Sequence, residues 1–386
     1  MTTVADTGQK ADLPPPATTV GVVGWLRENL FSSWPNALLT VVTIYLLYLA
    51  VPPLLQWAVF DAIWTGNEAK DCKLPDGERK DGACWIYIKA WIGGYVYGLY
   101  PYDLRWRIDL AAVLVVLMFA PLAVKRLPFK THYGVAVILL YPVVAYFMFR
   151  GFIDFTPNDP LSTSHPWRTV ETSKWGGLAL TLLIASVGII ASLPLGILLA
   201  LGRRSTMPIV STVSVLFIEL WRGVPLITVL FMSSVMLPLF LPEGVNFDKL
   251  LRALIGVTLF SAAYMAEVVR GGLQAIPKGQ YEAAMALGLN YARMMALIVL
   301  PQALRYVIPS IVNTFIGLFK DTTLVAIIGM FDFLGAVQLG NADPKWLGFS
   351  VEGYVFAAAI YFVFCFSMSR YSQRLERKLH TGHKKR

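Results

Sequence analysis

The sequence predicts an all-α, polytopic membrane protein with about eight transmembrane helices. Three observations lead there. Of its 386 residues, 56% are hydrophobic and only 15% charged, whereas about a quarter of a soluble domain is charged. The apolar residues gather in runs near the roughly 20 residues that a helix needs to cross a bilayer. Residues 37–60, 176–202 and 223–242 contain no Asp, Glu, Lys or Arg at all. Backbone groups in hydrocarbon must be satisfied within their own segment, so these spans are read as helices; the alternating ten-residue strands of a membrane barrel are not seen.

Taken in order, residues 1–36 read as a cytoplasmic tail. The first nineteen are polar and hold several Pro and Thr, without the charged start and apolar core of a secretory signal. Residues 37–150 form a three-helix membrane extension, with spans at 37–60, 108–124 and 132–149 and a long external loop at 61–107. Residues 151–175, rich in Pro, Ser, Thr and Asp, form an external linker. Residues 176–370 hold five spans, at 176–201, 223–241, 250–266, 306–330 and 353–368. A basic cytoplasmic tail, 371–386, closes the chain.

Eight spans put both termini on one side, and the basic residues assign that side to the cytoplasm. Nineteen of the 33 Lys and Arg fall in the segments so assigned, 13 outside, and Lys320 within a span. Seven of the 13 lie in the 61–107 loop beside seven Asp or Glu, and long loops count little in this rule. The net charge of +9 is therefore read as contact with anionic membrane lipid and cytosolic partners. No soluble basic domain is present to bind nucleic acid.

Cys72 and Cys84 lie in the external loop. If it faces an oxidising compartment a disulfide is favoured; the alternative is two unpaired thiols. No third or fourth ligand lies near them, nor near His132 or His165, so no metal site is expected. Cys365 is read as a small core residue.

Residues 267–301 read as a helix–turn–helix between the sixth and seventh spans. Gln280 to Leu287 are strong helix formers, and Gly288 stands where a left-handed cap belongs. Ala283 and Ala284 leave a smooth surface that lets another helix or groove approach, and Pro301 stands where the chain re-enters the membrane.

The pattern Glu282-Ala283-Ala284, Gly288, Ile298 and Leu300-Pro301 resembles the signature loop of type I ATP-binding-cassette importer permeases. The Glu-x-x-Arg-Gly-x-Pro-Leu block from Glu219 to Leu226 resembles polar-amino-acid permeases, as do residues 263–280, 300–305 and 313–324. The three additional spans resemble the larger permease of general L-amino-acid transporters. The resemblance covers roughly residues 170–380. It implies a bacterial inner-membrane, five-helix importer core, a coupling helix that docks on a homodimeric cytosolic ATPase, a second homologous permease, and a periplasmic amino-acid-binding protein. It implies no catalysis in this chain. The sequence contains no phosphate-binding Gly-x-x-x-x-Gly-Lys loop, so ATP and Mg are expected on the partner ATPase and no cofactor here.

Acidic residues near spans are expensive and are expected to be paired or to have a task. Glu219 has Arg222 and Glu267 has Arg270 three residues on, giving ion pairs that are structural or gating. Lys320-Asp321 sits between 14 uncharged residues and ten more, which suggests an interrupted span. Asn313, Lys320, Asp321 and Thr322 could then line the path of an amino-acid zwitterion; alternatively Asp321 caps the following helix. An importer of another small polar solute and an ion-gradient-driven transporter are the competing functions. The latter lacks paired intramembrane acids and leaves the docking loop unexplained. A membrane enzyme lacks any Ser/His/Asp or Glu-x-x-His arrangement.

Overall fold

The computed structural model describes residues 21–124, 129–154, 165–242 and 247–379. Most of the N-terminal tail, Lys125, Arg126, the middle of the 151–175 linker and residues 380–386 lie outside it. Every regular element among the described residues is helical, interrupted only by isolated bridges. The chain divides after Ile86 into two compact units.

The first unit holds α1 (Gly21–Asn29), α2 (Trp34–Leu55) and the disulfide loop. Pro52 and Pro53 remove two N–H donors near the end of α2. The ladder responds by widening into a π-helical turn, Gln56–Phe60, the usual way a helix absorbs a broken register. No residue of α2 is buried, as suits a helix whose solvent is lipid. Cys72 and Cys84, both buried, are joined in a disulfide with Cα atoms 5.8 Å apart. Trp85 covers the loop, its ring 5.7 Å from Trp64 and 6.4 Å from Trp57.

The second unit begins within α3 (Trp85–Tyr97), a helix inside the segment expected as the external loop 61–107. Its 13 residues are too few to span. Then come α4 (Trp106–Phe119) and α5 (Lys130–Arg150), an antiparallel pair: Tyr141 bonds to the Ala111 carbonyl and Tyr133 to that of Met118. The expected span at 108–124 is α4 with a 3-10 turn, Ala120–Ala123. Together they rise about 29 Å, close to the hydrocarbon thickness of about 30 Å.

Two long helices form the centre, α6 (Gly177–Arg203) and α10 (Lys249–Gln274). They run in parallel, with Gly188 against Val257 and Gly196 against Met265. A Cβ at Gly196 would stand 2.7 Å from the Met265 Cβ, so the approach depends on a residue without a side chain, as in small-residue membrane packing. Between them α7 (Pro208–Gly223) meets α8 (Leu226–Phe231) at a bend of 101°. Pro225 fixes this: it holds Val224 extended, which ends α7. A π turn, Met232–Met236, carries α8 into α9 (Leu237–Phe240). The expected span at 223–241 is therefore only the second limb of a bent pair.

After α10 come α11 (Lys278–Ala286), α12 (Tyr291–Met294), a π turn (Met295–Val299) and α13 (Leu300–Tyr306). The chain returns through α14 (Ile308–Asp321) and its 3-10 continuation, Thr322–Ile328. α15 (Phe333–Asn341) lies at the far end, capped by the fully buried Asp332, which accepts from Leu334 N and Gly335 N. α16 (Ser350–Leu379) comes last, and its 30 residues reach well past the expected span into the basic tail. Among the described residues six helices are long and apolar enough to cross a membrane, or seven if the bent pair is one span. α4, at the expected span 108–124, has 14 residues and is not among them.

Candidate functional site

The site is the turn between α10 and α14. Pro277 enters α11 with extended backbone, and the helix closes on Gly288 at φ +74°. Gly288 N donates to Met285 O (2.9 Å) and Leu289 N to Ala284 O (3.2 Å), the paired bonds of a Schellman cap. Nothing lies within 4 Å of a Cβ built at Gly288. Glycine is needed here for its backbone conformation and not for space. Asn290 then caps α12 by accepting from Arg293 N at 2.9 Å.

α11 has a packed underside and a bare outer surface. Ala284 is 1% exposed and sits in one apolar cluster with Ile276, Met294, Met295, Val299 and Ala303. The expectation that Ala283 and Ala284 both face outward is corrected. Successive helical positions lie about 100° apart, and only Ala283, with Glu282, is exposed. Beside them Met285 and Leu287 are 58% and 76% exposed. Ile298 and Leu300 are half-buried, and the π turn ahead of Pro301 absorbs the donor that proline lacks.

Polar contacts tie α11 to three other helices. Tyr281 donates to Leu273 O at the end of α10 (3.2 Å). Arg204, just past α6, donates to Tyr281 Oη (3.3 Å) and stands over its ring. Gln302 of α13 donates to Gln280 Oε1 (3.0 Å).

Next to Arg204 lies a charge cluster that joins α6, α7 and α10. Glu267, its side chain only 16% exposed, accepts from Arg270 (2.7 and 3.0 Å) and from Arg203 (2.8 Å), with Arg222 at 3.8 Å. Arg203 also reaches Glu219 at 2.9 Å. The expected Glu267–Arg270 pairing is present, whereas Glu219 pairs with Arg203 in place of Arg222. Sequence reasoning missed Arg203, which is far away in the chain. Its signal was the Arg203-Arg204 step ending a long uncharged run.

The proposed path residues are not brought together. Asn313 and Lys320 lie exposed, Asp321 is half-buried, and Thr322 is fully buried with its hydroxyl bonded to Phe319 O. α14 passes directly into its 3-10 continuation at Thr322, so the helix changes its winding there without a stretch of coil. Asp321 makes no side-chain cap either.

The family model described as a binding-protein-dependent transport system inner membrane component matches residues 192–381. The chain is 57% identical over 359 residues to the inner membrane amino-acid ABC transporter permease protein YhdY of Escherichia coli, with 93% of each chain covered. It is 42% identical, over 99% of each chain, to BztC of Rhodobacter capsulatus, a glutamate/glutamine/aspartate/asparagine transport system permease protein. The arginine transport system permease ArtQ of Bacillus subtilis aligns at 38% identity with 53% of this chain and 90% of its own. A crystal structure of an amino acid ABC transporter with histidines matches 52% of this chain and 92% of its own, at 30% identity and a TM-score of 0.47.

Proposed function

Because the chain belongs to the family of binding-protein-dependent inner membrane transport components, as an amino-acid ABC transporter permease, we propose that residues 278–301 are where a separate cytosolic ATPase delivers its work. One observation carries this reading: α11 is fixed from beneath by Ala284 and from the sides by Tyr281 and Gln280, yet presents Glu282, Ala283, Met285 and Leu287 bare. A helix held this firmly transmits a push. Through Tyr281 and Arg204 the push reaches the Glu267 cluster, where α6, α7 and α10 meet. Those helices then open and close the path in alternation.

In this reading the turn faces the cytoplasm, both termini lie on that side, and the disulfide loop lies in the oxidising periplasm. ATP and Mg sit on the homodimeric ATPase, and a periplasmic binding protein delivers the amino acid to the opposite face. A second, homologous permease completes the membrane pore. Residues 176–370 form the moving core, and the three additional spans pack outside the path. Asn313 and Lys320 remain the path-lining residues of α14, as the exposed polar side chains of one helical face.

The test is purification of the chain with its co-expressed partners, followed by ATPase assays with each amino acid and its binding protein. Stimulation by a set of amino acids, together with vanadate-sensitive uptake that survives collapse of ion gradients, supports the reading. Uptake that follows the ion gradient and ignores vanadate contradicts it.

A further inference from the structure

A polar cleft of about 580 Å³ opens at the end of α10 opposite the coupling turn, and no part of the mechanism above uses it. One wall is the start of α10, with Asp248, Lys249 and Arg252; the other comes from Arg150, Asp154 and residues 169–173. That second wall precedes the family match at 192–381. It is held in place by Arg107, fully buried, whose Nε donates to Pro166 O at 2.8 Å and whose Nη2 donates to Arg168 O at 2.8 Å. Thr172 clasps the two walls together by donating to Asp248 at 2.6 Å.

Six charged side chains line the cleft, Arg150, Asp154, Glu171, Asp248, Lys249 and Arg252, and among the described residues one ion pair joins two of them, Arg150 and Asp154. Asp248 is committed to capping α10 and to Thr172. Asp154 lies 3.8 Å from Arg150. Arg252 is 7% exposed, and among the described residues its guanidinium makes one hydrogen bond, to Ser234 O, while its Nε is buried without a partner. Lys249, half-buried at the rim, forms no ion pair among the described residues. Among the described residues the Glu171 carboxylate accepts one hydrogen bond, from the Ser173 hydroxyl at 3.1 Å. A buried cation without a counter-charge is costly and is stabilised by an arriving anion. The N-terminus of the 26-residue α10 adds its positive dipole end in the same place.

We propose that this cleft is an entry subsite for a dicarboxylic α-amino acid. Arg252 and Lys249 take its two carboxylates and Glu171 its ammonium group. With Arg150 paired to Asp154 and Asp248 held by Thr172 and the α10 amides, Arg252, Lys249 and Glu171 are the groups left to meet a ligand, and a second carboxylate gives each of the two cations an acceptor; a neutral amino acid satisfies only one. The proposal rests on the importer reading in one respect, that the end of α10 opposite the coupling turn faces the side from which substrate arrives.

The test uses the complete transporter in lipid nanodiscs without its binding protein, with radiolabelled L-glutamate, L-glutamine and L-lysine up to millimolar concentration. Glutamate is expected to bind saturably and more tightly than the other two. Arg252→Gln should weaken it about 30-fold, as for loss of one partner of a desolvated charge pair. Lys249→Gln, at the rim where folding is not at stake, should weaken it roughly 5-fold, and Glu171→Gln should weaken all three ligands. Absence of saturable glutamate binding by the wild type, or binding unmoved by both cation changes, overturns the proposal. So does an Arg252→Gln complex that keeps glutamate but loses its binding protein, which would make the cleft a docking contact. Uptake measured on the same preparation separates the two readings. Amino-acid uptake with no effect at the cleft sinks only the subsite; no uptake of any amino acid sinks the importer reading.

Discussion

Two glycines stand near the ends of α11, and the same substitution at each should act in opposite directions. Gly279 is in the first turn of α11 with helical backbone, while Gly288 ends it at φ +74°. A Cβ at either site meets nothing within 4 Å, so neither change carries a packing cost. Gly279→Ala gains helix propensity, about 0.5 kcal/mol near a helix start. Gly288→Ala must hold a left-handed conformation that costs an alanine roughly 1–2 kcal/mol. The escape is to leave that conformation and lose the two cap bonds to Met285 O and Ala284 O, at about 1 kcal/mol each, so the penalty stays near 1–2 kcal/mol either way. Hydrogen exchange of the amides in residues 282–289, read on the assembled transporter, should quicken roughly 5- to 30-fold in Gly288→Ala and slow slightly in Gly279→Ala. Amino acid imported per ATP hydrolysed should fall in Gly288→Ala alone. Equal or same-signed changes at the two sites would refute the reasoning that α11 is held by this cap.

Three further outcomes follow from particular contacts. Glu267→Gln should impair transport far more than Glu219→Gln, because Glu267 collects Arg203, Arg270 and Arg222 whereas Glu219 meets Arg203 alone; uptake assays on complexes of equal yield decide it. Burial pushes the Asp332 carboxyl up to about 6, so its protonated form favours the fold. That stability is fully present below about pH 4, is lost as pH rises to about 6, by about 3 kcal/mol, and is constant above. Asp332→Asn, which can still cap α15, should therefore raise the melting temperature at pH 7.5 and leave it little changed at pH 4. Cys72→Ser removes a cross-link across a 12-residue separation, worth about 3 kcal/mol to the loop. Limited proteolysis within residues 61–84 should accelerate while the yield of assembled complex stays unchanged.

Much of the fold was legible because lipid imposes a simple rule, and the uncharged runs became α2, α6, the limb from Leu226 to Phe240, and α14. The first limb of the bent pair was not legible. α7 carries Glu219 and Arg222 and reads as a solvated connection, and nothing local says that Arg203 and Glu267 neutralise that face. At Lys320-Asp321, where the sequence suggests an interruption, the helix tightens from α to 3-10 winding and does not open into coil. At the end of α11 Gly288 was legible because a positive φ leaves a residue-level signature. The inward turn of Ala284 was not, since Ala283 is chemically identical and only packing chooses between them. Arg252 left no trace either, because its missing counter-charge becomes visible only once both walls of the cleft are in place.

The claim that energy enters through α11 is tested most directly by cross-linking. In a Cys365→Ser background, Ala283→Cys and Leu287→Cys should form nucleotide-dependent cross-links to the ATPase in the intact transporter. Glu171→Cys, at the opposite end of the same unit, should form none. Cross-links from Glu171→Cys to the ATPase, or none from either α11 position in a complex that still hydrolyses ATP and imports amino acid, would contradict it.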